Sequence, residues 1–193
     1  MATFRTIDGA LECHFMGEVL RIAPWGPDAL RVQARPGRTL EAPHVSALLP
    51  CDARADAIEI DESRARITMG RIRAEVTLAE RYGADVKREA VIRFERTDTG
   101  EELLSETRSH FAGPRTRSFK ALASGSWRLE QQFRAYEGES LWGMGQPQHG
   151  AMNLKGVSTT LMQQNAHAVI PFVVSSRGYG LLWNNSAVGR AEF

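Results

Sequence analysis

The sequence predicts an all-β protein built as a large antiparallel β-sandwich. Apolar and polar residues alternate with period 2 in several segments, turn residues recur at close spacing, and no segment has a convincing helical pattern. The clearest alternation is in Arg71–Ala79, where Ile72, Ala74, Val76 and Leu78 take every second position. A helix would scatter these side chains around its circumference. About a dozen short strands of this kind are typical of a sandwich or barrel.

The first half of the chain contains six predicted strands. Pro24 and Gly26 break the pattern after the second strand, and Asp61–Arg64 is a natural hairpin connection. Thr39–Asp56 has two prolines and no alternation, which predicts a loop. In order, the strands are Leu11–Phe15, Val19–Ile22, Asp28–Ala34, Ala57–Asp61, Ala65–Met69 and Arg71–Ala79.

The second half adds six more predicted strands, and Ser105–Arg117 between them is polar and matches no pattern. Pro171 lies within a strand, which predicts an edge position or a bulge. Gly178 and Gly180 flank Tyr179, where they allow a turn or a close approach of the backbone. The strands are Val91–Glu95, Glu101–Ser105, Phe119–Ala123, Trp127–Tyr136, Ala168–Ser175 and Tyr179–Asn184. With no linker between them, residues 1–193 are predicted to form a single domain.

Composition argues against several classes of function. The net charge is +1, and the arginines are scattered along strands, which indicates solvated faces and argues against nucleic-acid and membrane-surface binding. The two cysteines are too few for a disulfide framework, and the five histidines lack the spacing of a metal site, so neither metal nor cofactor is expected. The N-terminus does not resemble a signal peptide and no apolar run is long enough for a membrane span, which predicts a cytoplasmic protein.

Four segments near the C-terminus carry a family resemblance. They are GMGQ at 143–146, NLKG at 153–156, IPF at 170–172 and SSRGYG at 175–180. In this order and spacing they resemble the N-terminal domain of family 31 glycoside hydrolases, which are retaining α-glucosidases and α-xylosidases. Glu18–Pro36 is also similar to the start of that domain.

The resemblance implies a galactose-mutarotase-like sandwich that packs on a catalytic (β/α)8 barrel of the same polypeptide. Retaining glycosidases use two carboxyl groups about 5 Å apart. In the family these groups belong to the barrel, which is absent from this chain. The 23 acidic residues lie mostly in turns or opposite basic residues, so no catalytic residue is assigned and the chain alone is expected to be inactive. The resemblance implies neither cofactor nor metal.

The resemblance also implies a substrate-binding loop at Met162–His167. In the family this loop reaches the mouth of the barrel and often reads N-R-D. Here Gln163, Gln164 and Asn165 take those places, which keeps the hydrogen-bonding capacity but removes a charge. The residues expected to contact the carbohydrate substrate are Gln164, Asn165, His167, Gln146 and His149.

The residues expected at the interface with the barrel are Arg177, Tyr179 and Trp183. Ile170–Val174 and Leu181–Trp183 are apolar on both alternating faces, so an exposed apolar patch is expected where the barrel would cover them. Trp127 and Trp142 lie in strand-like segments and are expected in the core.

Two alternative functions remain open at the level of sequence. A stand-alone carbohydrate-binding module would need an exposed aromatic platform. An aldose epimerase would need a general acid and a general base, so that His149, His167 and an acid such as Glu139 would have to converge. The sequence leaves the sugar, the linkage and the formation of a homo-oligomer open.

Overall fold

The computed structural model describes residues 3–37, 39–40, 48–80, 88–107 and 115–193. These residues form sixteen β-strands and no helix, and every strand pair is antiparallel, so the all-β prediction is confirmed. A helix with the length and apolarity needed to cross a membrane is likewise not found in them. The chain divides into two compact units, Met1–Arg134 and Ala135–Phe193. Folding of the whole chain as a single domain stays a prediction.

The first unit contains eleven strands in three sheets within the described residues. A four-stranded sheet has the order β1-β2-β3-β4, a five-stranded sheet the order β5-β6-β7-β8-β9, and β10 pairs with β11. The strands are β1 Thr3–Ile7, β2 Ala10–Phe15, β3 Glu18–Pro24, β4 Leu30–Pro36, β5 Ala57–Ile60, β6 Arg64–Met69, β7 Ile72–Glu80, β8 Arg88–Arg96, β9 Glu102–Ser105, β10 Arg117–Ala121 and β11 Trp127–Gln131.

The two larger sheets pack face to face and form the sandwich that the sequence predicts. Alternate residues of β2 and β3 from one sheet and of β6, β7 and β8 from the other share one buried cluster. This cluster consists of Leu11, Cys13, Leu20, Ile22, Ala65, Ile67, Ala74, Val76, Ala90 and Ile92. Since the side chains of a strand alternate between faces, the period-2 pattern of the sequence is the direct cause of this core.

The opposite face of the five-stranded sheet carries paired charges. Arg66 Nε donates to Glu75 at 2.6 Å, and Glu95 accepts from Arg73 at 3.1 Å and from Arg93 at 2.5 Å. The charged residues therefore occupy the face away from the core, as expected. Glu75 and Glu95 are nevertheless buried, because the long arginine side chains cover them.

The interpretation of the arginines as solvated is wrong at Arg117. Its side chain is only 4% exposed and its guanidinium donates to Glu18, to Glu106 and, at 3.1 Å, to the Ala90 carbonyl oxygen. Glu106 also accepts from the Ile92 N–H at 2.8 Å. Burial raises the pKa of Glu106 to about 7, against the lowering effect of Arg117. We call the side chains of Arg117, Glu18 and Glu106, together with the Ala90 carbonyl oxygen and the Ile92 N–H, the Arg117 network.

The second unit contains five strands in two sheets. The order of the larger sheet is β12-β14-β15, and β13 pairs with β16. Leu141, Met144, Leu154 and Val173 form its buried cluster. The sequence predicts β14 and β15 and places Trp142 in a strand-like segment, but it does not predict β13 or β16. The strands are β12 Leu141–Gln146, β13 Ser158–Leu161, β14 Ala168–Ser175, β15 Gly180–Leu182 and β16 Gly189–Glu192.

Strand β12 contains an irregularity built on two glycines. Gly143 and Gly145 have φ values of 123° and 84°, and the register with β14 shifts between them. A Cβ atom at Gly143 would lie 2.3 Å from the Phe172 carbonyl oxygen, and one at Gly145 would lie 2.0 Å from that of Ala168. The bulge predicted from Pro171 is thus confirmed, whereas an edge position is wrong because β14 is the central strand.

Candidate functional site

Two polar loops lie at the same end of the larger sheet of the second unit. Gln146 at the end of β12 pairs with Ala168 at the start of β14. The loop at 162–167 ends at Ala168, and Gln148 Nε2 donates to the Ala166 carbonyl oxygen at 3.4 Å. Four of the five predicted substrate-binding residues, Gln146, Gln164, Asn165 and His167, therefore belong to this end of the sheet.

His149, the fifth predicted residue, lies in the loop that follows Gln146. Its side chain is exposed and its Nδ1 accepts a hydrogen bond from the Ala151 N–H at 3.0 Å. With Nδ1 used as an acceptor, the neutral ring carries its proton on Nε2. His149 thus closes a local turn, and its contact with a sugar stays a prediction.

The loop at 162–167 is closed by one side chain, Gln163. Its Nε2 donates to the carbonyl oxygens of His167 and, at 3.3 Å, of Gln164. Its Oε1 accepts from the Val169 N–H at 3.1 Å. The sequence offered no reason to separate Gln163 from the two amides that follow it.

Gln164 and Asn165 form the exposed tip of the same loop. The His167 N–H donates to the Gln164 carbonyl oxygen at 3.2 Å, and Ala166 has a φ of 64°, so the main chain turns sharply here. Within the described part of the chain, neither the Gln164 nor the Asn165 side chain makes a hydrogen bond. Each amide can both donate and accept, which is the capacity needed to bind sugar hydroxyls.

The predicted interface residues lie mainly around the turn after β14, at the opposite end of the sheet. The Tyr179 hydroxyl donates to Glu139 Oε1 at 2.9 Å, and the Ser175 hydroxyl donates to the same oxygen at 2.6 Å. Lys155 Nζ lies 3.7 Å from the other oxygen of Glu139. Burial, and then the hydrogen bond to Glu139, raise the pKa of Tyr179. Tyr179 thus stabilises this turn through its hydrogen bond to Glu139.

Arg177 and Trp183 also have partners within this unit. The Arg177 guanidinium stacks on the Tyr136 ring, 4.2 Å from its centroid. Trp183 is half-buried and its main-chain N–H donates to the Pro171 carbonyl oxygen at 2.8 Å. A role for either residue at an interface with a barrel stays a prediction.

The groups that an epimerase would need do not meet. Glu139 is buried beside Ser175, at the end of β14, while His167 directly precedes Ala168, at its start. Eight residues of strand separate the two ends, which corresponds to roughly 23 Å. The acid and the histidine therefore cannot act on one sugar within this unit.

The outer face of the β12-β14-β15 sheet is apolar and exposed, as expected. Trp142 pairs with Val174, and Phe172 pairs with Leu182, so the side chains form a continuous surface. The Phe172 ring covers Gly180, where a Cβ atom would lie 2.8 Å from Cζ; the close approach expected at this glycine is confirmed. This apolar face consists of residues that are between 38% and 58% exposed, namely Trp142, Ile170, Phe172, Val174 and Leu182.

The expectation that Trp127 and Trp142 lie in the core is wrong. Trp127 is 53% exposed on β11, which pairs only with β10 among the described strands. Trp142 is 38% exposed because it follows the buried Leu141 and pairs with Val174 on the outer face of the sheet.

Comparisons with known proteins place the chain within larger hydrolases. The chain is similar to a family 31 glucosidase of Pseudescherichia vulneris, with 34% identity over 191 residues, which cover 95% of this chain and 36% of that protein. It is also similar to the α-xylosidase of Saccharolobus solfataricus, with 41% identity over 73 residues, covering 33% of this chain and 10% of the relative. No family model matches the chain.

Two solved structures that are similar to this chain are also family 31 enzymes. A family 31 α-xylosidase from a soil metagenome, complexed with xylose, matches 99% of this chain with a TM-score of 0.85 and 31% identity, and the match covers 29% of that structure. The family 31 α-xylosidase of Xanthomonas citri matches 96% with a TM-score of 0.75 and 27% identity, over 19% of its length. The chain thus spans about a third or less of the length of these relatives. It matches one part of these family 31 glycoside hydrolases.

Proposed function

We propose that this chain is an N-terminal accessory domain of a retaining α-glycosidase, with an α-xyloside as the substrate. It packs on the catalytic barrel of the same polypeptide and contributes a loop to the substrate entrance. The relatives that are named α-xylosidases support the substrate class. The cytoplasmic location expected from the sequence stays a prediction.

The exposed apolar face of the second unit is the observation that carries this proposal. Phe172, 41% exposed, and Ile170, 58% exposed, lie on the central strand of their sheet, where side chains of this kind are normally covered. Apolar surfaces of this kind mark interaction sites. Because β14 begins at the polar loop, a partner covering Ile170 would lie next to Gln164 and Asn165. That position is the one from which a loop can reach a substrate bound to the partner.

The isolated chain is expected to release no aryl alcohol from aryl α-xylosides or α-glucosides, since the carboxyl pair of a retaining enzyme would belong to the barrel. The full-length polypeptide is expected to cleave the α-xyloside. The measurement is release of the aryl alcohol by both proteins after parallel purification. Activity of the isolated chain that survives a second purification would contradict the assignment as an accessory domain.

Substituting Asn165→Ala in the full-length polypeptide is expected to lower kcat/KM up to roughly tenfold. A hydrogen bond between an amide and a sugar hydroxyl contributes about 0.5–1.5 kcal/mol net. Asn165 is exposed, so the free energy of unfolding should change by no more than about 0.5 kcal/mol. Kinetics and Tm are measured on the same variant.

The Asn165→Asp variant is the matched comparison, because it keeps the size and the acceptor but replaces the donor with a charge. Kinetics that are identical in the wild type and in both variants would show that Asn165 does not touch the substrate. A large fall in Tm with Asn165→Ala would show instead that the residue is structural.

A further inference from the structure

The three consecutive amides of the loop differ in how they use their hydrogen-bonding groups. Gln163 uses both ends of its amide within the loop, with two carbonyl acceptors at Nε2 and one N–H donor at Oε1. Among the described residues, the side chains of Gln164 and Asn165 have no such partners. One amide is therefore built into the loop, and two are left for a ligand.

The bonds of Gln163 join parts of the loop that the main chain alone would leave apart. Val169 is the second residue of β14, so the bond from its N–H ties the start of the strand to the start of the loop. The bond to the His167 carbonyl oxygen closes the loop just before the strand. Between these points the turn is supported by the 3.2 Å bond from the His167 N–H to the Gln164 carbonyl oxygen and by the 3.4 Å bond from Gln148 Nε2 to the Ala166 carbonyl oxygen, and Ala166 holds a φ of 64°.

We propose that Gln163 is a positioning residue for sugar recognition, which holds the Gln164 and Asn165 amides in the orientation that meets sugar hydroxyls. This inference rests on the function proposed above. Fixing the loop before binding lowers the entropy cost of the contact, so that the amides contribute more of their hydrogen-bond energy to affinity. Gln163 itself does not touch the sugar.

The Nε2 donor of Gln163 is the group that we expect to hold the loop closed. The Gln163→Glu variant keeps the shape of the side chain but turns a carboxylate oxygen toward the carbonyl oxygens of Gln164 and His167, where only a donor fits. Gln163→Ala removes both ends. We expect both variants to open the loop, with loss of amide-exchange protection at Val169 of roughly tenfold in the isolated chain.

The kinetic test uses the full-length polypeptide and an aryl α-xyloside. Gln163→Glu and Gln163→Ala are expected to raise KM by roughly twofold to tenfold with kcat nearly unchanged, because a contact made equally in the ground state and the transition state affects KM alone. The Gln163→Ala/Asn165→Ala double variant should lose less than the product of the two single effects, since both act on the same contact. Gln148→Glu is the control, because Gln148 is exposed and makes one 3.4 Å bond to the same loop.

The outcomes separate this inference from the proposed function. If Asn165→Ala raises KM but the Gln163 variants do not, the positioning role is wrong and the proposed function stands. If the effects of Gln163→Ala and Asn165→Ala on KM multiply fully in the double variant, Gln163 acts independently of Asn165 and the inference is also wrong. If Asn165→Ala and Gln163→Glu both leave the kinetics unchanged while Val169 loses protection, Gln163 has a structural role only and the loop does not meet the substrate.

Discussion

Substituting Arg117→Ala is expected to lower the free energy of unfolding of the first unit by about 3–5 kcal/mol. The arginine is the only cation in the Arg117 network among the described residues, and its loss leaves the buried Glu106 carboxyl group with no cation beside it. Breaking a buried ion pair by removing one partner is costly, because the remaining charge has no solvent to stabilise it. Denaturant unfolding followed by circular dichroism measures the change.

Arg128→Ala is the matched control for this prediction. Arg128 lies on the neighbouring strand β11, its side chain is 68% exposed, and it lies 3.2 Å from Glu130, so its loss should cost less than about 1 kcal/mol. The Arg117→Met/Glu106→Gln double variant should be milder than Arg117→Ala, because no carboxylate is left buried without a counter-charge. Equal stability of Arg117→Ala and Arg128→Ala would refute the importance of the network.

Substituting Gly145→Ala is expected to destabilise the second unit by about 2–6 kcal/mol. The new Cβ would lie 2.0 Å from the Ala168 carbonyl oxygen and 2.7 Å from the Ile170 nitrogen, both main-chain atoms of β14. The φ of 84° adds strain for any residue with a Cβ. The value combines about 1–3 kcal/mol for that backbone conformation with a similar cost of overpacking.

Gly150→Ala separates the steric clash from the backbone strain. Gly150 has a φ of 70°, similar to that of Gly145, but a Cβ there would meet no atom within 4 Å. Its cost should therefore be limited to about 1–2 kcal/mol. Both variants are compared by thermal and denaturant unfolding. If the two glycines tolerate alanine equally well, the close approach of β12 to β14 is not what requires Gly145.

The sequence was sufficient to predict the sandwich because one physical rule, the alternation of side chains along a strand, governs its core. In β7 and β8, Ala74, Val76 and Ile92 are buried as this rule predicts. β12 breaks the rule at Gly143 and Gly145, where a bulge shifts the pattern. Trp142 was expected in a strand and in the core; it does lie in a strand, but on the exposed face.

Arg117 and Glu106 were missed because their burial depends on contacts far apart in sequence. The polar segment from Ser105 to Arg117 has no apolar alternation, and Glu18, which pairs with Arg117, lies 99 residues away. A polar pattern predicts exposure unless a partner is known, and the partner is specified only by the fold. Part of that segment lies outside the described residues.

The candidate site was predictable only through the family resemblance. Glutamine and asparagine residues in a loop are usually solvated, and nothing in the residues themselves distinguishes Gln163 from Gln164. The difference arises because Ala166 turns the chain and places Val169 and His167 around one amide. Only the structure distinguishes the role of Gln163 from that of Gln164.

The uncharged tip of the loop has a consequence for the pH–rate profile of the intact hydrolase. Gln164 and Asn165 do not ionise, whereas the aspartate common at the second of these places in the family would lose its charge in acid. Under the proposed role, the two amides bind the sugar equally well across the working range of pH. The acidic limb of kcat/KM would then report on carboxyl groups outside these two positions, such as those that carry out the chemistry.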